Sequence, residues 1–248
     1  MRKILLHNNA FLVILAEYIQ FFPFLMEIIS SIKEDEIKNF HKEKNLYIKN
    51  CKYIRLWILK KIISQITGTE EKDLLIEKSP KGKPYLKELN LFFNQSTSHN
   101  YCAGIYHLKE PCGIDIEEIV PIPENQIPYF VFSENEIQTF HKIPGKIDYQ
   151  ALYSFWTCKE ALVKCTGDGI DQNLAELDFA EYKKNDQMKT EFVKKSWTIL
   201  KLNCSSNIAL AVSFKKNIDN RLEFYTVSPY KSDSLELIFQ KQSPLIIT

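Results

Sequence analysis

Two short segments of the chain carry acidic and basic side chains at spacings that suit metal and phosphate chemistry. In the segment GIDIEEI, Asp115 and Glu117 alternate with isoleucines. In the segment FWTCKEALVKCTG, Glu160 precedes Lys164 by four residues, so both lie on one face if this segment is helical. Three carboxylates that converge would offer oxygen ligands to a hard divalent cation such as Mg²⁺. Lysines around them would hold the phosphate oxygens of a polyanionic substrate.

Each segment also has a simpler interpretation. An exposed strand often carries acids at alternating positions without any function. Glu160 and Lys164 could form a surface ion pair, which stabilises a helix by roughly a few tenths of a kcal/mol. The residue types alone therefore leave both interpretations open, and the question becomes which elements hold these side chains.

Strand and helix patterns place the two segments. YCAGIYHL and CGIDIEE read as two strands that form an antiparallel hairpin around the turn at 109–111. Side chains alternate across a strand, so Asp115 and Glu117 share one face while Glu118 lies on the other. The longer helix DYQALYSFWTCKEALVKCTG ends at Gly167 and carries Glu160.

Further elements are predicted on both sides of these segments. Ser133 followed three residues later by Glu136 is a capping box that opens a helix. The basic stretch YIRLWILKKIISQITG is an amphipathic helix that stops at Gly68. Strands are expected at 3–6 and 11–16, as a hairpin, and again in EFVKKSWTILKL, NIALAVSFKK and RLEFYTV.

This order of elements predicts an α+β fold. We expect two similar α+β halves, a pseudo-dimer with mainly antiparallel sheets packed on helices. The proline-containing stretch VPIPENQIP is the natural connection between them. The predicted division is 1–119 and 120–248, with the site at the seam.

Composition excludes several classes of partner. The 248 residues include 32 basic and 31 acidic side chains, a net charge of +1, so no global attraction to nucleic acid or to a membrane surface is indicated. The six cysteines form no CxxC pair, which is typical of a reducing compartment. Pro23 and two glutamates interrupt the apolar N-terminal stretch, which is expected to be a buried strand and a core helix. We therefore expect a cytoplasmic protein.

The two acidic segments resemble the paired signature motifs of the 4′-phosphopantetheinyl transferases, (V/I)G(V/I)DxE and (F/W)xxKEAxxK. GKP at 82–84, FNQSTSH at 93–99 and FSENE at 132–136 resemble three further family motifs, in family order. The resemblance covers about residues 33–215 and is closest to the Sfp-type branch, W/KEA subgroup. Each motif is weak by itself, whereas all five together are specific.

The resemblance implies a role for each matching residue. Asp115, Glu117 and Glu160 resemble the Mg²⁺ ligands, and Asp115, Glu160 and the proposed general base Glu136 would be the catalytic group. The residues expected to hold coenzyme A, which is the co-substrate, are Lys164, Lys159, His99, Lys83, Lys52 and Arg55.

One position departs from the family pattern. FNxSHS would put a histidine at position 97, where this chain has Thr97. Either His99 takes the 3′-phosphate through a bulge or register change, or Thr97 replaces the histidine with weaker anion binding. We favour His99.

The resemblance implies Mg²⁺-dependent transfer of the 4′-phosphopantetheine arm of coenzyme A to a serine of an apo acyl or peptidyl carrier protein, with release of 3′,5′-ADP. Since the attacking serine belongs to the carrier, no nucleophile motif is needed in this chain. Alternatives are a Mg²⁺-dependent phosphohydrolase or nuclease and a non-catalytic relative that binds carrier proteins. The absence of a broad basic surface weighs against a nuclease. Two fused halves would complete the site within one chain, so we expect a monomer.

Overall fold

The structure is a computed structural model that describes residues 6–7, 9–80, 82–167, 174–180, 191–194, 197–202, 204–215, 221–231, 234–242 and 245–246. Within these ranges no helix is both long and apolar enough to cross a membrane.

Along the described residues one strand is followed by three α-helices, five strands, two α-helices and six strands. The strands are β1 (Ala10–Glu17), β2 (Ile76–Lys78), β3 (Pro84–Leu86), β4 (Phe92–Ser98), β5 (Tyr101–His107), β6 (Cys112–Glu118), β7 (Glu191–Lys194), β8 (Trp197–Lys201), β9 (Ile208–Lys215), β10 (Arg221–Lys231), β11 (Leu235–Lys241) and β12 (Leu245–Ile246). The α-helices are α1 (Leu25–Ser30), α2 (Glu34–Ile37), α3 (Leu46–Thr67), α4 (Glu134–Phe140) and α5 (Tyr149–Thr166).

Two sheets form the centre of the molecule. The first has the strand order β11-β10-β1-β5-β4, with β12 beside β10, and the second has the order β6-β9-β8-β7. β1 runs parallel to β10, and the other pairs in both sheets are antiparallel. A short β2–β3 ribbon stands apart. The α+β class with mainly antiparallel sheets is thus confirmed.

The two faces of β1 show how the layers stack. Leu12 and Ile14 pack with α3 residues such as Trp57 in one apolar cluster. Phe11 and Val13 point the other way and pack against the second sheet. A third cluster lies between the second sheet and the helices α4 and α5. The order of layers is therefore α3, first sheet, second sheet, then α4 and α5.

The two long helices end as the sequence predicts, although α3 begins at Leu46, seven residues before the predicted stretch. The side chain of Asn45 accepts a hydrogen bond from the Ile48 amide at the start of α3, and Gly68 ends it in the left-handed conformation, φ 77°. α5 ends in the same way at Gly167, φ 76°. The predicted capping box is also confirmed, since Ser133 and Glu136 make both of its hydrogen bonds at the start of α4.

The predicted hairpin of β5 and β6 is wrong. Both strands exist, but β5 pairs with β1 and β4 in the first sheet, whereas β6 pairs with β9 in the second. The turn between them carries the chain from one sheet to the other. His107 shapes this turn, because its Nδ1 accepts hydrogen bonds from the amides of Lys109 and Glu110 at 3.1 and 2.8 Å.

Two other predictions have different outcomes. The strand expected at 3–6, and with it the N-terminal hairpin, lies outside the described residues apart from Leu6, while β1 confirms the strand at 11–16. The division into halves at 119 and 120 stays a prediction. Each sheet contains strands from both sides of this division. β6 comes before it but belongs to the second sheet, and β10 to β12 come after it but belong to the first.

Candidate active site

β6 presents its two acids on the face that α5 covers. Ile114 and Ile116 are fully buried between the two sheets. Asp115 and Glu117 point to the opposite side, as the alternation of side chains requires. Asp115 is buried and Glu117 half-buried. The strand therefore offers two neighbouring carboxylates to whatever lies above it.

Gly113 brings the second acidic segment close to the first. A Cβ atom at Gly113 would lie 2.1 Å from the Ala161 carbonyl oxygen and 2.5 Å from the Cys165 amide nitrogen. Glycine is therefore required for the backbone of α5 to rest directly on β6. This contact puts the helix face with Glu160 and Lys164 over the strand. The glycine of GIDIE was the sequence signal for this close approach.

Lys164 reaches down to the strand rather than along its own helix. Its Nζ lies 2.6 Å from Asp115 Oδ1 and 3.0 Å from Ser96 Oγ. The ion pairs among the described residues do not include Glu160–Lys164, the pair expected in the simpler interpretation. Lys164 instead connects α5 to β6.

The three carboxylates influence one another. Burial raises the pKa of Asp115, and Lys164 partly offsets this rise. The pKa of Glu160 is raised first by burial and then by the charge on Asp115. The pKa of Glu117 is also raised, mainly by burial and further by Asp115, whereas Ser98 and Lys164 lower it. The three acids thus form one electrostatic group around a single shared lysine.

The donor chemistry of this group fits a hard divalent cation. Asp115 Oδ2 is buried and has no hydrogen-bond partner among the described residues. Such an atom is costly unless a partner joins it. Within the described ranges no three His, Cys, Asp or Glu side chains already form a metal cluster. Binding would therefore require the oxygens of Asp115, Glu117 and Glu160 to close on the ion, which would relieve their mutual repulsion.

Serines from β4 contribute to the site, and sequence reasoning missed their contacts. Ser96 Oγ donates to Asp115 Oδ1 at 2.7 Å, and Ser98 Oγ donates to Glu117 Oε2 at 2.8 Å. Both serines are buried although they lie at the edge of the first sheet. The available signal was the alternation of small polar residues in FNQSTSH, which indicates a strand with one polar buried face.

The structure places Glu136 and Lys159 together, away from this carboxylate group. Both side chains are fully buried, and Lys159 Nζ lies 2.8 Å from Glu136 Oε2. Lys159 Nζ also donates to the Leu174 and Leu177 carbonyls. Glu136 accepts hydrogen bonds from the Ser133 and Phe179 amides. Both side chains therefore hold 174–179 against α4 and α5.

This enclosure argues against the roles expected for the two residues. Burial raises the pKa of Glu136 and lowers the pKa of Lys159, and each opposes the shift of the other. A general base must come within hydrogen-bond reach of the proton that it removes. Glu136 has no exposed surface, and both of its oxygens are already bonded. In this conformation both side chains are enclosed, and their catalytic and coenzyme-binding roles stay predictions.

A pocket of about 420 Å³ gathers three of the residues expected to bind coenzyme A, together with Thr97, the alternative to His99. Lys52 and Arg55 line it from α3, and Thr97 and His99 line it from the end of β4. Lys52 is held by Glu43, with Nζ 2.8 Å from Oε2. Side chains that carry or can carry positive charge thus converge from two elements on one cavity, as an anion site requires.

The structure bears on whether Thr97 or His99 is placed to bind a phosphate. Thr97 pairs with Cys102 and Ser98 with Tyr101 in an unbroken ladder, so the expected bulge is absent from β4. His99 instead follows the strand, at the turn to β5, with φ 35°. This left-handed backbone is uncommon outside glycine, although histidine is among the residues enriched there. Both side chains are exposed and reach the same pocket.

Lys83 lies at the C-terminal end of α5. Its Nζ donates to the Lys164 carbonyl oxygen at 2.7 Å. A cation at this position complements the partial negative charge at the helix C-terminus. The described structure does not bring Lys83 into the pocket of Lys52 and Arg55, so its place near a nucleotide stays a prediction.

A family model matches the part of the chain that carries the three carboxylates. Residues 111–213 match the model of the 4′-phosphopantetheinyl transferase superfamily. This segment runs from the start of β6 through α5 to β9 and includes all three carboxylates. This segment of the chain is therefore similar to the domain of the 4′-phosphopantetheinyl transferase superfamily.

Three curated proteins are similar to parts of the chain. The chain is 29% identical over 163 residues to the 4′-phosphopantetheinyl transferase HetI of Nostoc sp., covering 62% of this chain and 68% of that protein. It is 32% identical over 119 residues to psf-1 of Bacillus pumilus, also named a 4′-phosphopantetheinyl transferase, covering 48% of this chain and 50% of that protein. A third relative, from Synechocystis sp., is 29% identical over 113 residues, with 46% of its length covered. The chain thus spans about half the length of the last two.

Proposed function

We propose that this protein transfers the 4′-phosphopantetheine arm of coenzyme A to a serine hydroxyl of an apo carrier protein, with Mg²⁺ as cofactor. The match of residues 111–213 to the superfamily model supports the class of reaction. The observation that carries the proposal is the convergence of Asp115, Glu117 and Glu160 around Lys164. This arrangement suits a pyrophosphate substrate that needs both a metal and a lysine.

The pocket lined by Lys52 and Arg55, on the other face of the end of β4 from the carboxylate group, is the proposed place for the phosphates of coenzyme A. Lys52, Arg55 and His99 would pair with phosphate oxygens there, and Thr97 would add a hydroxyl donor. Ser96 and Ser98 lie on the carboxylate side of β4, whereas Thr97 and His99 lie on the pocket side. The substrate would therefore run across the end of β4, from the pocket to the carboxylates.

Asp115, Glu117 and Glu160 would hold Mg²⁺, which when bound neutralises charge on the pyrophosphate and on the leaving group. Lys164 contacts Asp115 in this structure. It would bind a phosphate oxygen of the substrate instead once it no longer pairs with Asp115. Because Glu136 is enclosed, the serine proton would be taken by a carboxylate of the site. Glu160 is the best candidate, since it is half-buried and its pKa is raised.

The reaction balances without any further reactant. The serine oxygen forms a bond to the phosphorus of the pantetheine phosphate, and the bond from that phosphorus to the bridging oxygen of the pyrophosphate breaks. The bridging oxygen and its electron pair leave with 3′,5′-ADP, and the serine proton is transferred to a base. The task of this chain is to hold the reactants in line and to stabilise charge.

The direct test is incubation of the protein with coenzyme A, Mg²⁺ and a panel of apo carrier proteins. We expect one carrier or more to gain the mass of a single phosphopantetheine arm, with equimolar 3′,5′-ADP. Chelation of Mg²⁺ should stop the gain. If no carrier gains mass while 3′,5′-ADP also fails to appear, the proposal is wrong. Cleavage of DNA under the same conditions would favour a nuclease instead.

Assembly and location are also part of the proposal. One chain supplies the carboxylates from β6 and α5 and the cations from α3 and β4, so a monomer would be sufficient. All six cysteines are free, and five are buried, which suits a reducing compartment such as the cytoplasm. Sedimentation at working concentrations should give a single species of about 29 kDa; the calculated mass is 29.1 kDa.

A further inference from the structure

β4 and β6 lie edge to edge, but side chains rather than a backbone ladder join them. Asn94 Oδ1 accepts a hydrogen bond from the Ile114 amide at 3.0 Å. Ser96 and Ser98, at the next two alternate positions, contact Asp115 and Glu117. One face of β4 thus follows the acidic face of β6 residue by residue.

Ser98 makes two hydrogen bonds that fix the direction of its hydroxyl. Its Oγ accepts from the Glu118 amide at 2.9 Å and lies 2.8 Å from Glu117 Oε2. A serine hydroxyl has one proton to donate. Since the backbone amide uses an oxygen lone pair, the proton points at the Glu117 carboxylate. Ser98 is 7% exposed, so water does not easily replace this bond.

Ser96 makes the corresponding contact one step back along the strand, but it shares its target. Lys164 Nζ binds both Ser96 Oγ and Asp115 Oδ1. Loss of Ser96 would leave Asp115 paired with the lysine. Glu117 forms no ion pair among the described residues, so Ser98 is the contact that orients it. Ser98 is therefore the better residue with which to test positioning.

The position of Ser98 also connects the two parts of the site. Its neighbours Thr97 and His99 line the pocket of Lys52 and Arg55, on the opposite face of β4. The hydroxyl of Ser98 thus sets the Glu117 carboxylate at a fixed place relative to the pocket.

We propose that Ser98 is a positioning residue that holds the Glu117 carboxylate in the orientation needed to bind a divalent cation. The inference rests on the proposed function for the identity of that cation and its substrate. Groups that hydrogen-bond a metal ligand typically change metal affinity or activity by about 10–100-fold when removed. Ser98 acts through Glu117 and does not itself touch the substrate.

The test measures cation binding directly, with Mn²⁺ as the probe and its electron paramagnetic resonance signal as the readout. We expect Ser98→Ala to raise the Mn²⁺ concentration for half-saturation by about tenfold or more, with and without coenzyme A. Ser98→Thr keeps the hydroxyl and should restore most of the affinity. Ser154→Ala is the matched control, because it removes another buried serine hydroxyl, one bonded only to the Gln150 carbonyl on α5.

Turnover gives a second readout. In Ser98→Ala, the Mg²⁺ concentration for half-maximal rate should rise about tenfold, while kcat at saturating Mg²⁺ recovers to within about threefold of wild type. A damaged fold would lower kcat at all Mg²⁺ concentrations. Wild-type Mn²⁺ affinity in a folded Ser98→Ala protein would overturn the inference.

The two proposals can fail separately. If wild type binds Mn²⁺ and Ser98→Ala binds it weakly, but no carrier is modified by either, positioning stands and the transferase proposal fails. If wild type modifies a carrier and Ser98→Ala has unchanged cation affinity, the transferase proposal stands and the positioning role fails.

Discussion

At the scale of single residues, the candidate site contains buried carboxylates whose negative charges repel one another. Burial raises the pKa of Asp115 and Glu160, and the charge on Asp115 raises that of Glu160 further. Such strain persists where function requires it, at a cost in stability. A change that removes one of these charges should therefore affect activity and stability in opposite directions.

Glu160→Gln is the variant that separates the two effects. We expect carrier modification to fall by at least about 100-fold, on the scale of removing a preorganised electrostatic group. The melting temperature without metal should stay equal to that of wild type or rise, because repulsion with Asp115 is lost. Mass spectrometry of the carrier and differential scanning calorimetry measure the two quantities.

Glu118→Gln is the matched control in the same acidic run. Glu118 lies on the opposite face of β6 and accepts a hydrogen bond from the Asn100 amide at the surface. Its amide variant should retain activity within about twofold, since it removes a charge that the site does not use. An equal loss of activity in both variants would contradict the site assignment.

At the scale of elements, contacts between β6 and α5 place Glu160 above Asp115. Gly113 is the point at which the helix backbone meets the strand. We expect Gly113→Ala to destabilise the protein by about 2–3 kcal/mol, because backbone atoms at 2.1 and 2.5 Å cannot yield as a flexible side chain would. Urea unfolding measures this loss.

The same substitution should weaken cation binding before the protein unfolds. A helix pushed away from β6 carries Glu160 and Lys164 with it. Mn²⁺ titration at low urea would show reduced affinity in the folded variant. Unchanged stability together with unchanged affinity would mean that α5 does not rest on Gly113.

The buried Glu136–Lys159 pair ties α4, α5 and 174–179 together. Removing one partner leaves the other charge buried and unpaired, so Glu136→Gln or Lys159→Met should each cost about 3–5 kcal/mol of stability. The double variant Glu136→Gln/Lys159→Met should cost less than the sum of the single variants. Chemical unfolding of the three variants and of wild type completes the cycle.

Kinetics distinguish this structural role from a catalytic one. At a temperature where Lys159→Met is still folded, KM for coenzyme A should stay within about twofold of wild type, since Lys159 is fully buried. A large rise in KM for coenzyme A with little loss of stability would show that Lys159 contributes to coenzyme A binding.

At the scale of the whole molecule, local pattern predicted elements but not their partners. The capping box of α4, the glycine ends of α3 and α5 and the alternation in β6 depend on neighbours a few residues apart. Pairing does not: β1 lies beside β10, more than 200 residues further along the chain, with Ala10 opposite Arg221. The short turn after β5 looked like a hairpin because a sheet-to-sheet crossing has the same local pattern.

The candidate site divides in the same way. The proximity of the three carboxylates could be predicted from residue type and spacing, whereas their role as metal ligands stays a prediction. Ser96 and Ser98 were not, since their role depends on which strand lies beside β4. Lys159 was assigned to the substrate because a helix face by itself does not show whether it points to a cavity or, as here, to carbonyl groups of a loop.

His107 links the turn between the two sheets to the stability of the whole protein at low pH. Its ring is 2% exposed, stacks on Phe11 and accepts two backbone hydrogen bonds through Nδ1. Burial, with a smaller effect of Lys109, lowers its pKa from 6.5 to about 4. The unfolded chain therefore binds a proton between pH 6.5 and 4 that the folded protein excludes.

The sign of the effect follows from this difference. The stability that depends on neutral His107 is fully present above pH 6.5 and is lost as pH falls towards 4, by up to on the order of 3 kcal/mol. The buried carboxylates have raised pKa values and change stability in the opposite direction, so the comparison must be between variants. In His107→Gln, an amide oxygen can still accept from the turn but cannot be protonated. We expect the free energy of unfolding of this variant to fall less than that of wild type between pH 6.5 and 4, measured by urea titration at each pH. Parallel curves for the two proteins would show that His107 does not couple protonation to folding.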